Sequence, residues 1–183
     1  MSLIARDKFH PKEEAAVVVD LVRRVTALLG LAALLLSPPA LAVNDLHGEV
    51  VARCLSRSAG GRVWLEKTLW ALHDQERGWV GAEIRNANGT HDLGPLQVNS
   101  WWVPKIARLI RRPEGQVRLW LVHDPCFNVD VARWIFLSGL AVTRSYWRAV
   151  GIYHSPKSGR QRVYITAVAR HLARRYGAGI FRR

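Results

Sequence analysis

Three things are scarce in this chain. Carboxylates number 14 against 27 Lys and Arg, a formal net charge of +13, which favours an anionic partner. Strand patterns are almost absent, so a β-sandwich or barrel is excluded and a mainly helical fold is expected. Metal-ligand spacing is missing too. His73-Asp74-Gln75-Glu76 is not HExxH, and His91, His123 and His154 stand in no zinc pattern, which argues against a metal-dependent peptidase or amidase. No internal repeat, low-complexity tract or dividing linker is present, so the chain beyond its leader reads as one domain.

The longest apolar run, residues 25–36, holds twelve residues, short of the roughly 20 that span a bilayer. Arg23 and Arg24 precede it and SPPALA follows. Ala40-Leu41-Ala42 fits the small-x-small rule of signal peptidase. Residues 1–42 are therefore expected to be a secretory signal cut after Ala42, leaving a domain at 43–183. An uncleaved membrane anchor is the alternative. Asp7, Glu13, Glu14 and Asp20 make residues 1–22 unlike a short basic leader, which puts the expected start nearer Val22.

Residues 43–183 keep 22 Lys and Arg against 10 Asp and Glu, a net +12. An exported protein of this charge meets wall carboxylates and anionic lipids more readily than nucleic acid. An arginine-rich genome is the plainer source of the same charge. The two cysteines, Cys54 and Cys126, both follow Ala42. In an oxidising compartment they are expected to form a disulfide, worth up to about 4 kcal/mol for a loop of this length. Two buried thiols are the alternative.

Apolar spacing and turn residues place helices over about 46–57, 62–77, 101–112, 115–122, 143–153 and 160–176, with another running on from Asn128. The helix from Asn128 is apolar nearly all round, as a central buried helix would be. Ser100 is read as the N-cap of 101–112, with Pro104 in a first turn whose N–H groups have no helical partner. Two or three short strands fit in 84–97.

Leu65, Leu69, Leu72 and Glu76 step by four, three and four residues, so the carboxylate shares an apolar helix face. Glu76 also sits in the last turn, with Gly78 as the expected stop. Burial and the negative helix terminus both disfavour its ionisation, and a carboxyl that keeps its proton near neutrality is what a general acid needs. The alternative is a glutamate at a frayed end that bends into solvent. The loop 78–99 that follows is long, and such loops are usually functional. Asn88-Gly89 and Asp92-Leu93-Gly94 are turn signals within it. Gln97 and Asn99 offer amides to a polyhydroxylated ligand with acetamido groups, and Trp101 and Trp102 offer flat faces for sugar rings. The plainer readings give Asn99 to a helix cap and at least one tryptophan to the core.

QERG at 75–78, NGTHDLGPLQVNSWW at 88–102 and AVGIYHS at 149–155 resemble the lytic transglycosylases of the lysozyme-like superfamily. The usual family forms are Glu-Ser-Gly after a helix, Gly-Leu-Met-Gln-Ile-Asn in the loop and Ala-Tyr-Asn near the end. The likeness is greatest to the specialised transglycosylases of conjugation, type IV secretion and type IV pilus systems. Those carry NGT or NGS-x-DLG-x-x-Q-x-N, DPC-x-N and YHS in this order, and here the middle segment is DPCFN, 124–128. The resemblance implies a mainly α, lysozyme-like domain of the goose-type kind with at most a small β element in 84–97. It implies Glu76 as catalytic acid and Leu96, Gln97, Tyr153 and His154 as substrate contacts, with Tyr153 approaching Glu76 to orient it. His154 stands where many relatives have asparagine, Arg77 where they have serine, and Pro95 where they have leucine.

The resemblance further implies cleavage of the MurNAc-β-1,4-GlcNAc bond of peptidoglycan without water, giving a 1,6-anhydroMurNAc product. It implies no cofactor and no metal, glycan strands as substrate, a periplasmic location, and service to a secretion, conjugation or pilus apparatus. Ordinary glycosidases need two carboxylates. Glu83 and Asp92 are the close candidates, and neither lies in a second-acid motif. A hydrolytic lysozyme-like muramidase and a non-catalytic glycan-binding assembly factor are the alternatives.

Overall fold

The computed structural model describes residues 40–155 and 158–181, with side chains from Gly48 onward. The apolar run 25–36 and everything upstream of it lie outside the described residues. Helix α1, Ala40–Ala59, is followed by α2, Val63–Glu76. Three short strands come next: β1, Glu83–Arg85; β2, His91–Leu93; and β3, Val98–Asn99. A 3-10 turn, Ser100–Trp102, leads into α3, Val103–Ile110. Then come α4, Glu114–His123; α5, Pro125–Thr143; α6, Tyr146–His154; α7, Ser158–Tyr176; and a 3-10 turn at Ala178–Phe181. The fold is mainly α with a small antiparallel sheet, as the sequence predicts. Helix α1 starts earlier than the expected residue 46, at Ala40.

The stripe on α2 buries as its spacing requires. Leu65, Leu69 and Leu72 are fully buried, each worth about 1.5–3 kcal/mol relative to exposure. The helix stop differs from the expected one. Arg77 is the left-handed C-cap, at φ 52°, and its N–H bonds to the His73 carbonyl. Gly78 has another task. A Cβ there would lie 2.2 Å from the Gly94 carbonyl oxygen and 2.7 Å from that of Pro95. The glycine is needed so that the loop can lie directly on the helix end.

The cap of the next helix also differs by one position. The Asn99 side chain, not that of Ser100, accepts from the Trp101 N–H. Ser100 Oγ accepts instead from the His91 N–H, and Pro104 falls in the first turn of α3 as expected. In the sheet, ordered β1-β2-β3, Asp92 pairs with Ile84 on one side and Asn99 on the other. Leu93 and Val98 are buried, so strand alternation turns Asp92 and Asn99 to the opposite face.

Asp124 caps α5, accepting from the Cys126 and Phe127 N–H groups ahead of a first-turn proline. Helix α5 is long and apolar enough to cross a bilayer, yet it buries Val129, Ala132, Ile135 and Phe136 in the core. Cys54 and Cys126 are bonded, tying α1 to the start of α5. Helix α5 packs on α6, α6 on α7, and α7 returns to α2. That return brings residues near 164 beside Glu76. Residues Asp45–Arg183 form one compact unit.

Candidate active site

Glu76 is the last residue of α2. The residue keeps part of its surface in contact with solvent, but its carboxyl is enclosed closely enough that burial raises its pKa from 4.5 to about 7. A hydrogen bond from the Tyr164 hydroxyl to Oε1 opposes that rise, and the nearby charge of Asp92 adds to it. Tyr164 is itself buried, on an inward stripe of α7 with Val168 and Leu172. His154 lies flat on its ring, with centroids 4.5 Å apart and planes 4° apart. Burial holds the His154 pKa below its usual value, Arg160 acts in the same direction, and Asp92 works against both. The charges of Glu76 and Asp92 also act on Tyr153, so a carboxyl, two phenols, an imidazole and a second carboxylate lie together where α2, α6, α7 and β2 converge.

Tyr153 comes near enough to Glu76 for the carboxylate's charge to act on its phenol, but it does not hydrogen-bond to it. Its hydroxyl donates to the Leu96 carbonyl at 2.9 Å, and the phenol that reaches Glu76 is that of Tyr164. The Tyr153 pKa is still pushed well above 10, by burial first and then by the charges of Glu76 and Asp92. The sequence reading missed Tyr164. Its signal was present: a tyrosine at i with apolar residues at i+4 and i+8 faces inward, and a buried phenol needs a partner.

The loop over Glu76 is held by a fully buried amide. Asn128 Oδ1 accepts from the Leu96 N–H at 2.9 Å, and Nδ2 donates to the carbonyls of Leu93 and Leu121 at 2.8 Å each. Gly94, at φ 66°, lets this happen, since a Cβ there would sit 2.5 Å from Asn128 Nδ2. Leu96 is completely buried, so its side chain belongs to the core and offers a ligand no surface. Gln97 takes a left-handed backbone, φ 47°, and its Nε2 folds back on the Gly94 carbonyl at 2.8 Å. Asn99 is fully engaged, donating to Thr90 Oγ1 and Asp92 Oδ1 and accepting from the Trp101 N–H. It is a structural residue, as the plainer reading had it.

Of the two candidate second carboxylates, Glu83 is exposed and tied to Arg118. Asp92 is the one whose charge reaches Glu76, Tyr153 and His154. Trp101 is 56 % exposed beside Lys105. The Lys105 ammonium lies over the Trp101 ring, whereas Trp102 packs edge-on against Trp134 and against the core. Among the described residues no group of three His, Cys, Asp or Glu is placed to hold a metal ion. A cavity of about 660 Å³ opens at the far end of α2, between Trp64, Lys67, Tyr146, Trp147 and Phe181. Glu76 does not line it.

No family model matches the chain. Over 94 residues it is 30% identical to proteins named Invasion protein IagB from two strains of Salmonella typhimurium and from Salmonella typhi. The match covers 51% of this chain and 56% of each relative. The chain therefore spans about half the length of the curated relatives it matches.

Proposed function

We propose that the chain is an exported peptidoglycan lytic transglycosylase that cuts the MurNAc-β-1,4-GlcNAc bond and leaves a 1,6-anhydroMurNAc end. The observation that carries this reading is the Glu76 carboxyl, whose burial at a helix end holds its pKa at about 7. Half of such groups are protonated at neutral pH, the condition under which one carboxyl serves as acid and then as base. Tyr164 donates to Oε1, which leaves Oε2 to carry the transferable proton.

In the proposed reaction Oε2 gives its proton to the glycosidic oxygen as the bond to the anomeric carbon breaks. The carboxylate so formed is stabilised by the Tyr164 hydrogen bond. It then takes the proton of the MurNAc 6-hydroxyl as that oxygen bonds to the anomeric carbon. No water is consumed, and Glu76 ends as it began. Gln97, His154 and Trp101 remain the side chains with surface for the glycan; Leu96 acts through its backbone, which Tyr153 and Asn128 hold.

The leader supports export to the periplasm, and the paired cysteines suit an oxidising compartment. The shared name of the relatives, an invasion protein, agrees with local opening of the wall for a secretion, conjugation or pilus machine. A digest of purified peptidoglycan, with the products weighed, tests the reaction. Muropeptides one water lighter than hydrolysed ones are expected, and fully hydrated products would refute the transglycosylase. A hydrolytic muramidase is the second reading, and it has one specific support: the charge of Asp92 acts on the Glu76 carboxyl, and hydrolysis needs a second carboxylate to activate water.

A further inference from the structure

We propose that the pocket between the C-terminal ends of α2 and α7 binds a carboxylate of the peptide carried by the glycan substrate, and so selects peptide-bearing over bare strands. The inference rests on the peptidoglycan reading above. The pocket encloses about 360 Å³ and is lined by Asp74, Arg77, His171, Arg174 and Arg175.

Its charges do not cancel. Arg175 is already matched. It holds Asp74 in a two-point pair at 2.9 and 2.6 Å, and its guanidinium lies 4.1 Å from the centre of the Trp70 ring. His171 is fixed from both sides. Its Nδ1 meets an Arg174 guanidinium nitrogen at 2.8 Å, and its Nε2 meets Gln75 Oε1 at 3.2 Å. An arginine can only donate, so Nδ1 accepts and the ring proton sits on Nε2, facing Gln75. The imidazole is therefore neutral. Arg77 and Arg174 are left as surplus cations. Among the described residues neither has a carboxylate within 4 Å, and both are exposed to a ligand.

Helix dipoles account for part of this. Arg174 and Arg175 lie in the last turn of α7, where cations are favoured. Arg111 and Arg144 also cap helices in the left-handed conformation, so the backbone of Arg77 is not itself a signal. What sets Arg77 apart is its place. It follows Glu76 directly and converges with a cation from another helix on one concavity. Two guanidiniums around one open volume match a carboxylate, which each can bind through paired N–H groups.

The spacing limits which carboxylate can reach. Tyr164 touches Glu76, and His171 lies seven residues further along the same helix, about 10 Å away. An extended peptide covers that distance in about three residues at roughly 3.3 Å each. The pocket is thus within reach of carboxylates on the first residues of a stem peptide attached to the sugar at the reacting bond.

Two measurements on the full chain test this. In the first, a stem tripeptide with free carboxylates and its fully amidated form are titrated into wild type, Arg77→Gln, Arg77→Lys and Arg174→Gln. The free acid should bind about three- to tenfold more tightly than the amide, the glutamine variants should erase that difference, and lysine should keep part of it. In the second, KM is measured on intact peptidoglycan and on the same strands stripped of peptide by an amidase. The ratio of stripped to intact KM should exceed one for wild type and fall toward one in the glutamine variants. Equal binding of acid and amide, or a ratio that the variants leave unmoved, overturns the pocket while leaving the reaction standing. Carboxylate-dependent binding without cleavage of either substrate would instead remove the proposed reaction and keep the site.

Discussion

The Tyr164 hydroxyl donates to Oε1 of Glu76, joining α7 to the last residue of α2 across 88 positions of sequence. That bond stabilises the ionised carboxylate and opposes the rise in pKa that burial imposes. Tyr164→Phe should therefore raise the Glu76 pKa above about 7. The alkaline limb of the turnover–pH profile should move to higher pH, and turnover at its optimum should fall about tenfold, the scale of one hydrogen bond to a charged group. Tyr153→Phe should behave differently. It unpairs the Leu96 carbonyl, which lowers stability by about 1–2 kcal/mol with a smaller effect on the limb. A larger limb shift in Tyr153→Phe than in Tyr164→Phe would return the orienting role to Tyr153.

Gly78→Ala should be far more damaging than its exchange suggests. The added Cβ would meet backbone oxygens of Gly94 and Pro95 at 2.2 and 2.7 Å, and backbone cannot turn aside as a side chain can. The loop must lift from the helix end, with a stability loss of roughly 2–4 kcal/mol and loss of the Glu76 enclosure. Gly89→Ala is the control. Gly89 has φ 81° and nothing within 4 Å, so alanine there costs about 1 kcal/mol through backbone conformation alone. Urea denaturation of both variants decides the point, and equal costs would mean the close approach is not obligatory.

The contrast between local and tertiary information explains what was legible. Glu76 could be found because helical phase projects four residues onto one face without reference to the rest of the chain. The helix set followed from the same periodicity. Cap assignments slipped by one residue, Arg77 for Gly78 and Asn99 for Ser100, because adjacent residues of suitable type compete and the loser is recruited elsewhere. Ser100 went to the His91 N–H, and Gly78 to a backbone contact. Tyr153 and Tyr164 both face inward, and which of them meets the carboxyl depends on how α6 and α7 cross. No spacing encodes that crossing. The three bonds of Asn128 all run to backbone groups between seven and 35 residues away, so its role was visible only as part of the DPCFN segment.

Asn128→Ala tests that buried clamp. It would strand the Leu96 N–H and leave the Leu93 and Leu121 carbonyls short of a donor, at roughly 1–3 kcal/mol for each buried group left unpaired. A loss of at least about 3 kcal/mol is expected in urea, together with faster amide exchange at Leu96. A loss below 1 kcal/mol, marked against that ~3 kcal/mol scale, would mean the loop is held by other contacts.

The bond between Cys54 and Cys126 spans 72 residues and closes a long loop in the unfolded chain. Reduction should lower stability by up to about 4 kcal/mol on the chain-entropy model. Alkylation of denatured, unreduced protein from an oxidising compartment should label neither cysteine. Labelling of both would show that the bridge does not form there.

Glu76→Gln should separate stability from activity with a characteristic pH signature. The folded carboxyl has its pKa raised from 4.5 to about 7, so the folded state holds the proton more tightly than the unfolded one. Below pH 4.5 both states are protonated and the raised pKa contributes its full share of stability. Between 4.5 and about 7 the unfolded chain ionises while the folded chain does not, and wild type loses up to about 3 kcal/mol at 1.36 kcal/mol per pH unit. Above that window the loss is complete and constant. Glutamine keeps the acceptor for Tyr164 but cannot ionise. Its stability advantage over wild type should therefore be smallest in acid, grow through the window, and level off above it. Urea midpoints on each side of the window measure this directly. Turnover should fall 10²–10⁴-fold, about the usual cost of losing a general acid. A stability difference that stays flat with pH would mean Glu76 is ionised in the folded protein at neutrality, and the proton proposed for the glycosidic oxygen would have to come from another group.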